Sequence, residues 1–199
     1  PLKPLTAEAF AAEIDRMLGL YDWAITSVQL NLLGSHDTAR FLTMVGGDKS
    51  ALQLATLYQM TMPGAPSVYY GDEIGLAGGH EPASRGAMPW DESAWDQELR
   101  RYFQRAIALR RENPALRRGT YRAVLAKGAS LAFVREHDDQ RLLVAFNTAR
   151  DEQRMTIPLV GIAGEPRPIF GEPAALSLGD DGVTLMAPGR SGIVMALDA

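Results

Sequence analysis

His36 and Asp37 are the adjacent side chains in this sequence best equipped for chemistry. An ionised carboxylate only accepts hydrogen bonds, so Asp37 could hold hydroxyl groups and favour positive charge developing beside it. The neighbouring imidazole could donate to the same kind of group. Both follow an apolar run, Leu30, Leu32 and Leu33, which Gly34-Ser35 breaks. The pattern reads as a buried strand opening into a loop. About thirty residues on, Ser67-Val68-Tyr69-Tyr70-Gly71-Asp72-Glu73 repeats the design, with an apolar strand, a glycine and then carboxylates. A bare His-Asp pair is otherwise a helix cap or a surface feature, so its surroundings carry the argument.

Glu81 and Arg85 stand four positions apart in a long segment without apolar periodicity, about 72–92. Alone they read as a surface ion pair, which contributes little energy. The three histidines, His36, His80 and His137, are too far apart in the chain to suggest a zinc site, and there is no cysteine to form a thiolate site or a disulfide. Gly46-Gly47 and Gly78-Gly79 lack the spacing of a phosphate-binding loop and read as turns.

The elements that must position these residues fall into two groups. Helices are expected at 6–19, with Phe10, Ile14, Met17 and Leu18 on one face, and at 51–62, introduced by Ser50 and Gln53. A third is expected at 94–112, capped by Ser93, with Trp95, Leu99, Phe103, Ala106 and Leu109 inward. Its arginines (Arg100, Arg101, Arg105, Arg110 and Arg111) read as a solvated face. Strands at 28–34 and 66–71 alternate with these helices, which argues for parallel strands joined by right-handed crossovers. Beyond about residue 117 the pattern changes to short β segments at 120–127, 130–136, 141–147, 153–159, 167–170, 183–186 and 192–197. Turn signals at regular spacing between them predict an antiparallel sandwich. The expected organisation is an α/β part over 1–117 followed by an all-β part over 118–199. The aromatics of the second part, Tyr121, Phe133, Phe146 and Phe170, each lie within an apolar strand pattern and are expected in its core.

Asn31-Leu32-Leu33-Gly34-Ser35-His36-Asp37-Thr38, then Pro63 to Leu76 with its Tyr69-Tyr70-Gly71-Asp72-Glu73 centre, Gly78-Gly79, Arg85 and Pro89-Trp90 resemble the α-amylase superfamily of retaining glycoside hydrolases. The likeness is to the neopullulanase and cyclomaltodextrinase branch and covers residues 1 to about 115. It implies the C-terminal portion of a (β/α)8 TIM barrel, from the sixth helix to the eighth, and then the C-terminal antiparallel β-sandwich. In such barrels catalytic residues ring the C-terminal ends of the strands. By resemblance, Asp37 is the third carboxylate, holding sugar hydroxyls and stabilising the oxocarbenium-like transition state. His36 donates to a sugar hydroxyl, and Arg85 with Glu81 holds sugars on the non-reducing side. Most relatives carry Asp at the Glu81 position. Arg40 is expected at the same rim, as a sugar-side residue or as a brace. Asp72 and Glu73 are expected to brace the mouth. The nucleophile and the acid/base come from the fourth and fifth strands, upstream of Pro1.

The implied parent cleaves α-glucosidic bonds of malto-oligosaccharides, cyclodextrins or pullulan. A transglycosylase of the same superfamily and a non-enzymatic carbohydrate-binding module are the rival readings, and the lack of tryptophan after Trp95 counts against the module. No cofactor is implied for this chain, and any calcium belongs to the upstream part of the parent. The expected partners are the α-glucan substrate and either the missing N-terminal barrel portion or a second copy. A net charge of −4 with 22% charged residues gives no electrostatic case for nucleic acid or an anionic membrane surface. No apolar stretch approaches the ~20 residues of a membrane helix. No leader-like segment opens the sequence, and a cytoplasmic location is expected.

Overall fold

The computed structural model describes residues 5–159 and 165–197. Its first part holds α1 (Ala7–Leu18), α2 (Trp23–Thr26), β1 (Leu30–Leu32), α3 (Phe41–Met44), α4 (Lys49–Thr61), β2 (Ala65–Ser67), α5 (Gln97–Glu112) and α6 (Pro114–Arg118). The expected helices are present, but their caps differ. Asp48 caps α4 by accepting from the Ala51 amide, so that helix starts before Ser50. Asp96 caps α5 through the Leu99 amide, while Ser93 sits in a separate 3-10 turn, Glu92–Ala94. In both places an Asp carboxylate supplies the acceptor for the orphan amides, two residues before the expected cap in α4 and three after it in α5. α1 buries Ala11 and Ile14 and leaves Met17 49% exposed, so its inner face is rotated from the expected one. α2, α3 and α6 were not expected; each is too short for periodicity to register.

β1 and β2 pair in parallel, Leu30 opposite Ala65 and Leu32 opposite Ser67. Both are shorter than expected, and no barrel closes among the described residues. The reading of β1 as a buried strand is corrected: Leu30 is 62% and Leu32 53% exposed. With one strand neighbour and no covering layer, these side chains have nothing to pack against.

The β-rich part agrees with expectation in class. A five-stranded antiparallel sheet runs β3 (Thr120–Lys127), β4 (Ser130–His137), β5 (Gln140–Asn147), β10 (Ser191–Leu197), β7 (Arg167–Phe170). A three-stranded sheet runs β6 (Gln153–Ile157), β9 (Gly182–Ala187), β8 (Ala175–Gly179). β8 was not foreseen. Between the sheets lies one core, with Ala132, Val134, Leu143, Ala145, Met155, Ile157, Val183, Leu185, Ile193 and Met195. The other face of the large sheet packs Phe133, Leu142, Val144 and Phe146 against Leu54, Leu57, Leu109 and Leu116 of the helices. Tyr121 and Phe170 join this second core, as expected of the aromatics. Burial on both faces accounts for the almost unbroken apolar runs of β4 and β5.

Two buried arginines join the parts. The last carbonyls of α4 have no intrahelical partner. Arg110 of α5 donates through Nη1 to Met60 O (2.8 Å) and Met62 O (2.9 Å), and through Nη2 to Gly64 O (2.5 Å). Arg135 of β4 donates to Thr61 O, to Thr120 O (2.8 Å) and to Gly119 O (3.0 Å). Cations also suit the negative end of a helix dipole. Burial first, and then repulsion from Arg110, pushes Arg135 down to about 9. Burial and Arg117 push Arg110 down to about 10. Both stay cationic at neutral pH. Arg110, expected on a solvated face, is thus a correction, because its register on α5 points it at the end of α4. No described helix is long and apolar enough to cross a membrane.

Arg135→Met should strip the buried Thr61 and Gly119 carbonyls, and the partly buried Thr120 carbonyl, of their donor. At ~1–3 kcal/mol for each orphaned group, urea denaturation should show a loss of about 3 kcal/mol or more. A loss below ~1 kcal/mol would mean that water or neighbours replace the guanidinium.

Candidate active site

The turn after β1 carries His36 and Asp37 into the open. Ser35 and Thr38 close it: the Ser35 amide donates to Thr38 Oγ1 (3.2 Å), and the Asp37 amide donates to Ser35 Oγ (3.2 Å). His36 Nε2 lies 3.2 Å from Asp37 Oδ1, and both side chains are mostly exposed. The long segment after β2 comes back to this turn. Its 3-10 turn, Ala83–Arg85, brings Arg85 Nη2 to 3.7 Å from Asp37 Oδ1 and 3.0 Å from Glu81 Oε1. Arg85 Nε donates to the His36 carbonyl (3.2 Å), and so does Ser84 Oγ (3.1 Å). Four of the five expected site residues, His36, Asp37, Glu81 and Arg85, therefore converge. The longer Glu81 side chain reaches Arg85 without difficulty.

Arg40 is the exception. Of the two roles expected for it, sugar-side residue or brace, its place fits the brace, since it is 0% exposed. Its Nη1 donates to Asp72 Oδ1 (2.9 Å) and to Tyr70 O (2.7 Å), and its guanidinium lies over the rings of Tyr69 (4.6 Å) and Tyr70 (4.9 Å). Its own amide donates to Gly78 O (2.9 Å), and Gly78 N donates to Thr43 Oγ1 (2.9 Å). One residue thus ties the turn after β1 to the segment after β2. Asp72 is a brace, as expected, by holding this cation. Burial pushes the Asp72 carboxyl up to about 6 against the pull of Arg40.

Below the turn, Gln59 of α4 donates to Asn31 O and Ser67 O (2.8 Å each), spanning both strands. The Asn31 side chain donates to Pro63 O (2.7 Å). Sequence reasoning missed Gln59 and Ser84. For Gln59 a signal existed, a long polar side chain among the mostly apolar inward positions of the helix. For Ser84 the only hint is its place beside Arg85.

The cluster can accept and donate hydrogen bonds to a polyhydroxylated ligand and present a carboxylate to developing positive charge. A cleft of about 650 Å³, lined by Arg117, Arg118, His137 and Asp139 among others, includes none of these four residues. No group of three or more His, Asp or Glu among the described residues is placed to hold a metal ion.

Residues 7–121 match the family model described as the catalytic domain of alpha-amylase, and the chain belongs to that family. It is 44% identical over 143 residues to a cyclomaltodextrinase of a Bacillus species, covering 71% of this chain and 26% of that one. Neopullulanase 2 of Thermoactinomyces vulgaris is 40% identical over 161 residues, covering 80% of this chain and 28% of that enzyme. The debranching enzyme of Nostoc punctiforme, in its native form, superposes with a TM-score of 0.92 at 38% identity, over 98% of this chain and 41% of that chain. The chain spans about a quarter of the length of the curated relatives it matches.

Arg40→Met should cost about 3–5 kcal/mol, since it leaves the buried Asp72 charge alone. Asp72 already has a folded pKa above its unfolded value of 3.8, so folding penalises the ionised form. Without Arg40 that pKa rises further. The variant should be weakest above the folded pKa and regain stability as pH falls toward the unfolded value. Thermal melts across pH 4–8 would show this, and a pH-independent deficit would remove Asp72 as its cause.

Proposed function

We propose that this chain is the C-terminal part of a retaining glycoside hydrolase acting on α-glucosidic bonds of malto-oligosaccharides, cyclodextrins or pullulan. The observation that carries this reading is the convergence of His36, Asp37, Glu81 and Arg85 at the ends of two parallel strands, in a chain of the alpha-amylase family. The names of the relatives, cyclomaltodextrinase and neopullulanase, support the substrate class. In this reading β1 and β2 are the seventh and eighth strands of a (β/α)8 barrel, and residues 118–199 form the domain behind it.

The chemistry follows from the charges. Cleavage of a glycosidic bond builds positive charge at the anomeric carbon, and retaining enzymes meet it with two carboxyls ~5–5.5 Å apart, a nucleophile and an acid/base. Those two are supplied from upstream of Pro1. Asp37 accepts from sugar hydroxyls and stabilises the developing charge, and His36 donates to a hydroxyl. Arg85, oriented by Glu81, holds the sugar on the non-reducing side. The exposed Leu30 and Leu32, on a strand with one described neighbour, fit a partner made of the remaining barrel strands. Trehalose-forming or sucrose-acting transfer chemistry would use the same residues, and products from maltotriose at high acceptor concentration separate transfer from hydrolysis.

In the enzyme containing this chain, Asp37→Asn keeps the shape and removes the charge. It should lower kcat by ~10³-fold or more, with a much smaller change in ground-state binding. Near-wild-type kcat would take Asp37 out of the site.

Residues 1–199 alone should release no reducing sugar from cyclodextrin, pullulan or starch above a buffer control. Activity that Glu73→Gln abolishes would place a catalytic carboxylate within this chain and overturn the assignment.

A further inference from the structure

We infer that Ser84 is a positioning residue for Asp37, acting through the His36 carbonyl; this rests on the role proposed above for Asp37. Ser84 is 0% exposed and reaches no bulk solvent. Its hydroxyl donates to His36 O at 3.1 Å, and Arg85 Nε donates to the same oxygen at 3.2 Å. A carbonyl oxygen has two lone pairs, and here both are taken by one short turn of the opposite loop. That carbonyl belongs to the peptide joining His36 to Asp37. Fixing its plane fixes the direction in which the Asp37 side chain leaves the backbone.

Asp37 needs such help. Its carboxylate is mostly exposed and, among the described residues, its charged partners are His36 Nε2 at 3.2 Å and Arg85 Nη2 at 3.7 Å, so side-chain packing does not hold it. Its turn is closed by the small hydroxyls of Ser35 and Thr38 and by one long backbone bond, from the Thr38 amide to Ser35 O at 3.5 Å. Arg85 cannot be the whole clamp, because its outer edge is shared with Glu81 and it is itself partly exposed. Ser84 is anchored independently, since its carbonyl accepts from the Tyr69 hydroxyl (3.5 Å), and Tyr69 lies under the buried Arg40 guanidinium. The rigid core of the brace is thereby carried to the exposed carboxylate of Asp37.

The test is Ser84→Ala in the enzyme containing this chain, with Asp37→Asn alongside and maltotriose or β-cyclodextrin as substrate. A misplacement of ~1 Å can cost ~10²-fold in rate, so a partly loosened Asp37 should lower kcat about tenfold and leave KM within about twofold. A purely structural serine would lower the melting temperature and leave kcat of the folded enzyme unchanged, which overturns the inference. So would a rise in KM at constant kcat, which would make Ser84 part of sugar binding. If Ser84→Ala melts below the assay temperature, Ser84→Cys, similar in size but a weak donor, is judged by the same criteria. An active Asp37→Asn enzyme sinks the functional reading along with the inference. An inactive Asp37→Asn beside a fully active Ser84→Ala sinks the inference alone.

Discussion

The rest of the structure depends on how the C-terminal end of α4 is satisfied. A helix that stops inside a protein leaves carbonyls that water cannot reach. Here two guanidinium groups from different parts of the chain, Arg110 and Arg135, close that end between them. Each has several donors in a rigid fork, so one side chain serves two or three carbonyls. The arrangement sets where Pro63 and Gly64 leave the helix, and hence where β2 starts. It also fixes the large sheet against the helices, since Arg135 lies on β4 while Thr61 ends α4.

From that fixed end the site is built outward in steps. Gln59, one turn back in α4, holds β1 and β2 by their carbonyls. Arg40 then joins the two segments that leave those strands, pairing with Asp72 and lying over Tyr69 and Tyr70. A buried ion pair is weak evidence for stability, because desolvation offsets much of its attraction. What it supplies here is geometry, since a lone Asp72 or Arg40 in that position would be costly. The exposed cluster of His36, Asp37, Glu81 and Arg85 sits on top of this frame. Exposed ion pairs of this kind add little to folding, and their value lies in what they offer a ligand.

The exposed apolar residues of β1 belong to the same logic. Leu30 and Leu32, with Val28 just before the strand, are more than half exposed, whereas the two cores bury leucines such as Leu57, Leu142 and Leu143 completely. Large apolar side chains left on a strand with an open edge favour association. Under the proposed reading, the surface that completes the barrel also brings the two absent carboxyls to the mouth that Asp37 faces.

Much of this was determined by the sequence alone. Strand-end His36-Asp37, the Tyr69-Tyr70-Gly71-Asp72-Glu73 segment and the Glu81/Arg85 spacing marked the residues that the fold brings together. Long periodic helices and the change to short strands near residue 117 were equally legible, because periodicity is a local property. Tertiary structure alone decided which arginines are buried. Arg40, Arg110 and Arg135 look like their solvated neighbours in sequence, and only the placement of distant carbonyls and of Asp72 makes their burial tolerable. Tertiary structure also decided that β1 is exposed, since burial depends on what lies opposite, and that Ser84 meets the His36 carbonyl. Contacts between residues nearly fifty positions apart leave no period to read. They exist because α4 ends where it does and aims two loops at one point.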